Sequence, residues 1–128
     1  MLRSFRRPRL WIAVWIAMIL GVIVLSLMPG PPIPDMLTVG KFDHGFAYFC
    51  LEVMAVQLYA RRHDWLVAAA AMIALGIALE FAQGYLTSYR DMSAYDGMID
   101  AIGVAIGLAT AWTPFTNIVQ RIDARLFG

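Results

Sequence analysis

Four apolar stretches run along this chain, parted by short polar or proline-rich segments. They cover residues 10–28, 43–60, 65–86 and 95–114. Each is close to the roughly 20 residues an α-helix needs to cross a bilayer. The pattern predicts an all-α membrane bundle of four transmembrane helices in a single domain, residues 1–128. Pro29, Pro31, Pro32 and Pro34 close the first helix and stiffen the loop after it. The tail, residues 115–128, alternates apolar and basic positions, with Ile118, Ile122 and Leu126 on one face of a short interfacial helix or a frayed end.

Basic residues orient the bundle. Arg3, Arg6, Arg7 and Arg9 precede the first stretch, Arg61 and Arg62 separate the second from the third, and Arg121 and Arg125 follow the fourth. With four spans these eight share one side, leaving Lys41 and Arg90 on the other. The positive-inside rule then predicts N-in, C-in topology. Trp11, Trp15, Trp65 and Trp112 fall near helix ends on the basic side, as interfacial anchors do. A basic start before an apolar run also suits a signal peptide. The stretch is longer than a usual signal core, however, and Met28-Pro29-Gly30-Pro31-Pro32 lacks a small-residue cleavage site. A retained helix is the expectation, in a multi-pass protein of a bacterial inner membrane.

Composition agrees with this class. Of 128 residues, 61% are hydrophobic and 15% charged, where soluble domains carry about 25% charge. The net charge of +1 says little by itself; the placement of charge says more. The single cysteine, Cys50, forms no internal disulfide and reads as a small core hydrophobe.

What changes the picture is ionisable groups inside the apolar stretches. Lys41, His44, Tyr48 and Glu52 recur every three or four residues and form one helical stripe. Gly76, Glu80, Gln83 and Gly84 form a second; Asp96, Asp100, Gly103 and Gly107 form a third. A charge at the bilayer centre costs roughly 2.5–3.5 kcal/mol on insertion scales, so each group needs a partner or a task. Under the predicted topology all but Glu52 lie toward the outer face, as a polar cup. The bland alternative is a hydrogen-bond scaffold, but such bonds are each worth only about 0.6 kcal/mol in membranes. Six acids, Asp35, Asp43, Glu80, Asp91, Asp96 and Asp100, face outward against two bases, Lys41 and Arg90. Crowded carboxyls of this kind hold protons or take in a cation, a cationic ligand or a metal. Asp43, Asp91 and Lys41 taken singly suit solvated loop positions, and Glu52 reads as a core acid before a catalytic one. Gly103-x-x-x-Gly107 is a packing motif that would serve helix contacts, including those of a homo-oligomer.

These segments resemble the VanZ-like family of bacterial membrane proteins. The matching residues are Lys41-Phe42-Asp43-His44 with Phe46 and Tyr48, Glu80-Phe81-Ala82-Gln83, Arg90-x-x-Ser93-x-x-Asp96 and Gly103-x-x-x-Gly107. Ser26-Leu27-Met28-Pro29 is similar to the family's exit from its first helix. This chain departs from the family at Gly40, where Asp is common, at Asp100, where Asn is usual, and at Glu52, usually small or apolar. Two of those changes add acid to the site. The resemblance implies a helical bundle and, for the founding member, low-level teicoplanin resistance; it supplies no biochemical activity.

Three functions suit the pattern. The first is binding of an outer-leaflet lipid or lipid-linked cell-wall precursor, with Lys41, His44, Tyr48, Glu80, Gln83, Arg90, Asp96 and Asp100 as ligand contacts. The second is an intramembrane hydrolase or transferase acting on a lipid, with His44, Glu80 and Asp96 as catalytic candidates and Asp100 joining them as a divalent-metal ligand. No zinc signature and no Ser/His/Asp order supports it, so catalysis has less to stand on than binding, and no cofactor is expected. The third is a small proton-coupled carrier running through Glu52. Nucleic acid is not an expected partner.

Overall fold

The computed structural model describes residues 1–27, 39–86 and 94–128, with backbone alone at 39–44 and 94–95. All regular structure in these residues is helical, apart from one isolated antiparallel bridge between Leu2 and Tyr59. The helices are α1 (Pro8–Leu27), α2 (Val39–Leu58), α3 (Arg62–Leu86), α4 (Ala94–Ala109) and α5 (Ile118–Phe127), with a 3-10 turn at Thr110–Trp112. Two of them, α1 and α3, are long and apolar enough to cross a membrane. Among the described residues, the apolar stretch of α2 is Gly45–Leu58 and α4 has 16 residues, both shorter than that measure asks.

Both chain termini lie at one end of the bundle, called here the terminal end. The start of the chain binds the end of α2, where the Arg3 N–H donates to the Leu58 carbonyl at 2.8 Å and Ala60 N–H to the Met1 carbonyl at 2.9 Å. Gln57 fastens the tail to α2: its amide donates to the Phe115 carbonyl at 2.7 Å and its side-chain oxygen accepts from Val119 N–H at 3.2 Å. The four tryptophans cluster at this end, as expected, and each has a partner. Trp11 donates to Asp123, Trp15 to the Leu51 carbonyl and Trp65 to the Tyr59 carbonyl. Trp112 stands edge-on to Trp65, their ring centres 6.5 Å apart.

Helix ends differ from the predicted ones for local reasons. Pro8 opens α1 two residues early, at a first-turn position where a missing N–H costs nothing. Asp64 in the first turn of α3 suits the positive end of the helix dipole, so that helix starts at Arg62 rather than residue 65. The second helix begins at Val39 and not 43, because polar Lys41, Asp43 and His44 were no bar to helix, only to apolarity. The fourth ends at Ala109 instead of 114. Thr110–Trp112 tightens into a 3-10 turn, and Thr113 before Pro114 is extended, as the proline ring requires. The tail is a packed helix, not a frayed end.

The centre of the bundle is the α2–α4 contact, and glycine makes it close. A Cβ on Gly103 would collide with the Gly45 carbonyl oxygen, and one on Gly107 would sit 2.7 Å from the Phe49 carbonyl oxygen. Gly103 and Gly107 thus serve a contact within the chain. Around this centre Leu51, Val56, Leu58 and Val104 form an apolar core, and polar and ionisable groups are buried with them. Glu52, Gln57, Glu80, Gln83, Asp100, Ser26 and Asp123 are buried, whereas Leu20, Val24, Leu25, Ile77, Phe81, Met98, Ile102 and Ile106 are exposed. Of the large hydrophobic side chains described on α2, only Phe46 is exposed.

Candidate functional site

At the end opposite the termini, three helices bring polar side chains together around Gly76 of α3. A Cβ at Gly76 would lie 3.4 Å from Asp100 Oδ2 and 3.6 Å from the Tyr48 ring carbon that bears the hydroxyl. The missing side chain therefore makes the space in which the Tyr48 ring from α2 and the Asp100 carboxyl from α4 meet. Glu80 lies one helical turn beyond Gly76 and packs on α4 at Gly97, whose Cβ would be 3.8 Å from Glu80 Cγ. Tyr48 is within electrostatic reach of both Asp100 and Glu80, and Asp100 within reach of Glu80 and Asp96.

Burial is deep for such groups. Tyr48 is 1% exposed, Asp100 3% and Glu80 8%, with Asp96 half-buried at the start of α4. Asp100 Oδ1 has no hydrogen-bond partner among the described residues. A carboxyl oxygen in that position is an acceptor waiting for a donor, since a buried polar atom left unbonded costs about 1–3 kcal/mol. Acceptors and one phenol hydroxyl crowd a small volume here, and that chemistry suits a ligand carrying hydrogen-bond donors or positive charge.

The predicted set divides under this geometry. Tyr48, Glu80, Asp96 and Asp100 converge. Gln83 is buried but engaged elsewhere, its amide donating to the Ser26 carbonyl at 2.7 Å and so tying α3 to the exit of α1. Glu52 lies a turn deeper, fully buried against Gly107, where a Cβ would stand 2.9 Å from Glu52 Cβ; neither of its carboxyl oxygens has a hydrogen-bond partner among the described residues. Arg90 lies outside the described residues, as do the side chains of Lys41 and His44. Among the described residues no three His, Cys, Asp or Glu side chains form a group that could hold a metal ion.

A second polar centre, at the terminal end, escaped the sequence reading. Asp123 of α5 is 1% exposed and holds the two residues just ahead of α1. Its carboxylate accepts the Arg6 backbone N–H, the Arg7 N–H at 3.1 Å and the Trp11 indole N–H at 2.9 Å. Burial pushes this carboxyl up; the three donors together outweigh it and hold the group below the ordinary carboxylate value. The one available signal was an acid on the face of the tail opposite Ile118, Ile122 and Leu126. Asp64 is likewise engaged, accepting from the amino terminus.

No protein family, curated protein or solved structure matches this chain.

Proposed function

We propose that this chain is a four-span protein of the bacterial inner membrane, N-in and C-in, whose polar cluster opens outward. The cluster engages an outer-leaflet lipid or a lipid-linked envelope intermediate, and so modulates susceptibility to glycopeptide-type antibiotics. The observation that carries this reading is the convergence of Tyr48, Glu80, Asp96 and Asp100 from three helices around Gly76. Two helices long and apolar enough to cross, and an exterior rich in large apolar side chains, support the membrane setting. A lipid solvent accommodates such an exterior, whereas soluble proteins rarely expose large apolar patches to water. The sheltered helix is then α2, which need not be apolar all round, while α4 turns Met98, Ile102 and Ile106 outward. The likeness to the VanZ-like family supports the envelope role, because its founding member acts against a drug whose target lies outside the membrane. In this reading Lys41 and Arg90 meet anionic groups, while Glu80, Asp96 and Asp100 orient the donors of the ligand.

Substitution separates a site from a scaffold. Glu80→Gln and Asp96→Asn keep shape and remove charge; Arg90→Ala removes a cation. Each is expected to abolish the antibiotic phenotype at normal membrane abundance. Asp100→Asn, which restores the residue usual in the resembling family, is expected to be mild. Minimum inhibitory concentrations measured beside immunoblots of membranes decide between them. Full activity in both Glu80→Gln and Asp96→Asn would return the cluster to a structural role. A stoichiometric divalent metal in native mass spectra, lost in those variants, would favour the hydrolase reading.

A further inference from the structure

The helix α5 carries an apolar stripe that the fold cannot turn inward. Ile118, Ile122 and Leu126 follow one another at four-residue intervals and are exposed, as are Phe115 before the helix and Phe127 at its end. The opposite face is fixed at three points. Asp123 is bound to the start of α1, Val119 N–H to Gln57, and the Gln120 amide to the Ser4 carbonyl at 2.9 Å. Rotating α5 to bury the stripe would break all three. The stripe therefore needs an apolar medium that comes to it.

Charge names the medium. Arg121 and Arg125 flank the stripe and, with Ile118 and Ile122, line an open groove of about 190 Å³. Arg7 reaches the same helix, its guanidinium 5.3 Å from the Phe127 ring. The six arginines of the two terminal segments, with Arg61 and Arg62 between α2 and α3, gather at this end. Its two acids are both engaged: Asp64 by the amino terminus, Asp123 by α1. No acid of this end is left to neutralise Arg121 and Arg125. Trp112, 62% exposed between α4 and α5, marks the depth at which indoles collect in a headgroup layer. Alternating apolar anchors and guanidinium groups at that depth match the acyl boundary and phosphates of an anionic lipid.

We propose that the α5 groove is a binding site for anionic phospholipid, with Arg121 and Arg125 holding the headgroup phosphate and Ile118, Ile122 and Leu126 sunk into the acyl boundary. This site lies at the other end of the molecule from the polar cluster and stands or falls independently of it.

The test is native mass spectrometry of the full chain in detergent, titrated with dioleoylphosphatidylglycerol or dioleoylphosphatidylcholine. Wild type is expected to retain the glycerol lipid preferentially. The double variant Arg121→Gln/Arg125→Gln is expected to bind it about 30-fold more weakly, at about 1 kcal/mol per arginine and 1.4 kcal/mol per tenfold. Arg9→Gln/Arg61→Gln removes the same charge from the same end and leaves α5 untouched; it is expected to lose less than threefold. Equal loss in both doubles, or no loss in the first, overturns the site. A nitroxide at position 122 in an Ile122→Cys, Cys50→Ala chain, reconstituted in vesicles with one part phosphatidylglycerol to three of phosphatidylcholine, reads depth directly. Oxygen-accessible, water-shielded spectra are expected. A water-exposed label, or one buried by dimerisation of the chain, overturns the proposal.

Discussion

Asp123 shows what a single side chain does in this fold. The N–H groups just ahead of a helix need acceptors once buried, and a negative charge beside the first turn is favourable. Asp123 supplies both acceptor and charge to α1 from a helix more than a hundred residues away, bonding Arg6, Arg7 and Trp11. Because its folded carboxyl is held below the ordinary 3.8, its stabilising effect is complete above the unfolded value and fades as pH falls through the folded one. Asp123→Asn is therefore expected to lower the thermal midpoint at neutral pH by several degrees. The gap to wild type should close in strong acid, where both side chains are neutral. Tryptophan fluorescence of the detergent-solubilised protein follows it, since Trp11 is a direct partner; a gap independent of pH would sink this role. The sequence hid this residue because its partners are remote in the chain. Tyr48, Glu80, Asp96 and Asp100 were legible for the opposite reason: helical spacing alone places such groups on stripes. Gln83 was legible as polar and buried, yet its engagement with Ser26 is a tertiary fact that no spacing predicts.

Among the elements, glycine sets how closely α2 and α4 approach. Gly103 faces the Gly45 backbone, and a methyl group there has only carbonyl atoms to displace. Rigid backbone cannot yield as a flexible side chain does. Gly103→Ala is expected to destabilise the bundle by about 1–3 kcal/mol or more, the range for overpacked cores. Gly21 on α1 is the internal comparison, with nothing within 4 Å of its would-be Cβ. Gly21→Ala should be neutral or stabilise by roughly 0.5–1 kcal/mol through helix propensity. Unfolding in a graded mixture of sodium dodecyl sulfate and mild detergent measures both; equal effects would show that α2 and α4 are not held at this distance. The packing motif was visible in the sequence as Gly103-x-x-x-Gly107, but its partner was not. Gly45 carries no pattern that marks it as the facing residue. Hydropathy likewise located four apolar stretches while misplacing their ends, because capping, turn geometry and Pro114 set the ends and apolarity does not.

For the whole molecule, the distribution of charge between the two ends yields the most direct prediction. Arg3, Arg6, Arg7, Arg9, Arg61, Arg62, Arg121 and Arg125 all belong to the terminal end. Several are built into it: Arg3 donates to the Val56 carbonyl at 3.3 Å, and Arg62 stacks over Trp112 at 5.9 Å. Arginine in short segments beside crossing helices resists translocation, so this end is expected to stay on the cytoplasmic side. Four crossings would bring the chain back to it, and the connection between α3 and α4 would then face outward. Cysteine accessibility in intact cells tests the arrangement in a Cys50→Ala chain. Ser88→Cys is expected to react with a membrane-impermeant maleimide added outside. Arg62→Cys should react only after the membrane is opened, and its exposed position means that burial cannot mimic protection. The reverse pattern would turn the bundle over. The Glu80–Asp100 cluster would then face the cytoplasm, where an outer-leaflet ligand never comes within reach, and α5 would meet the outer leaflet.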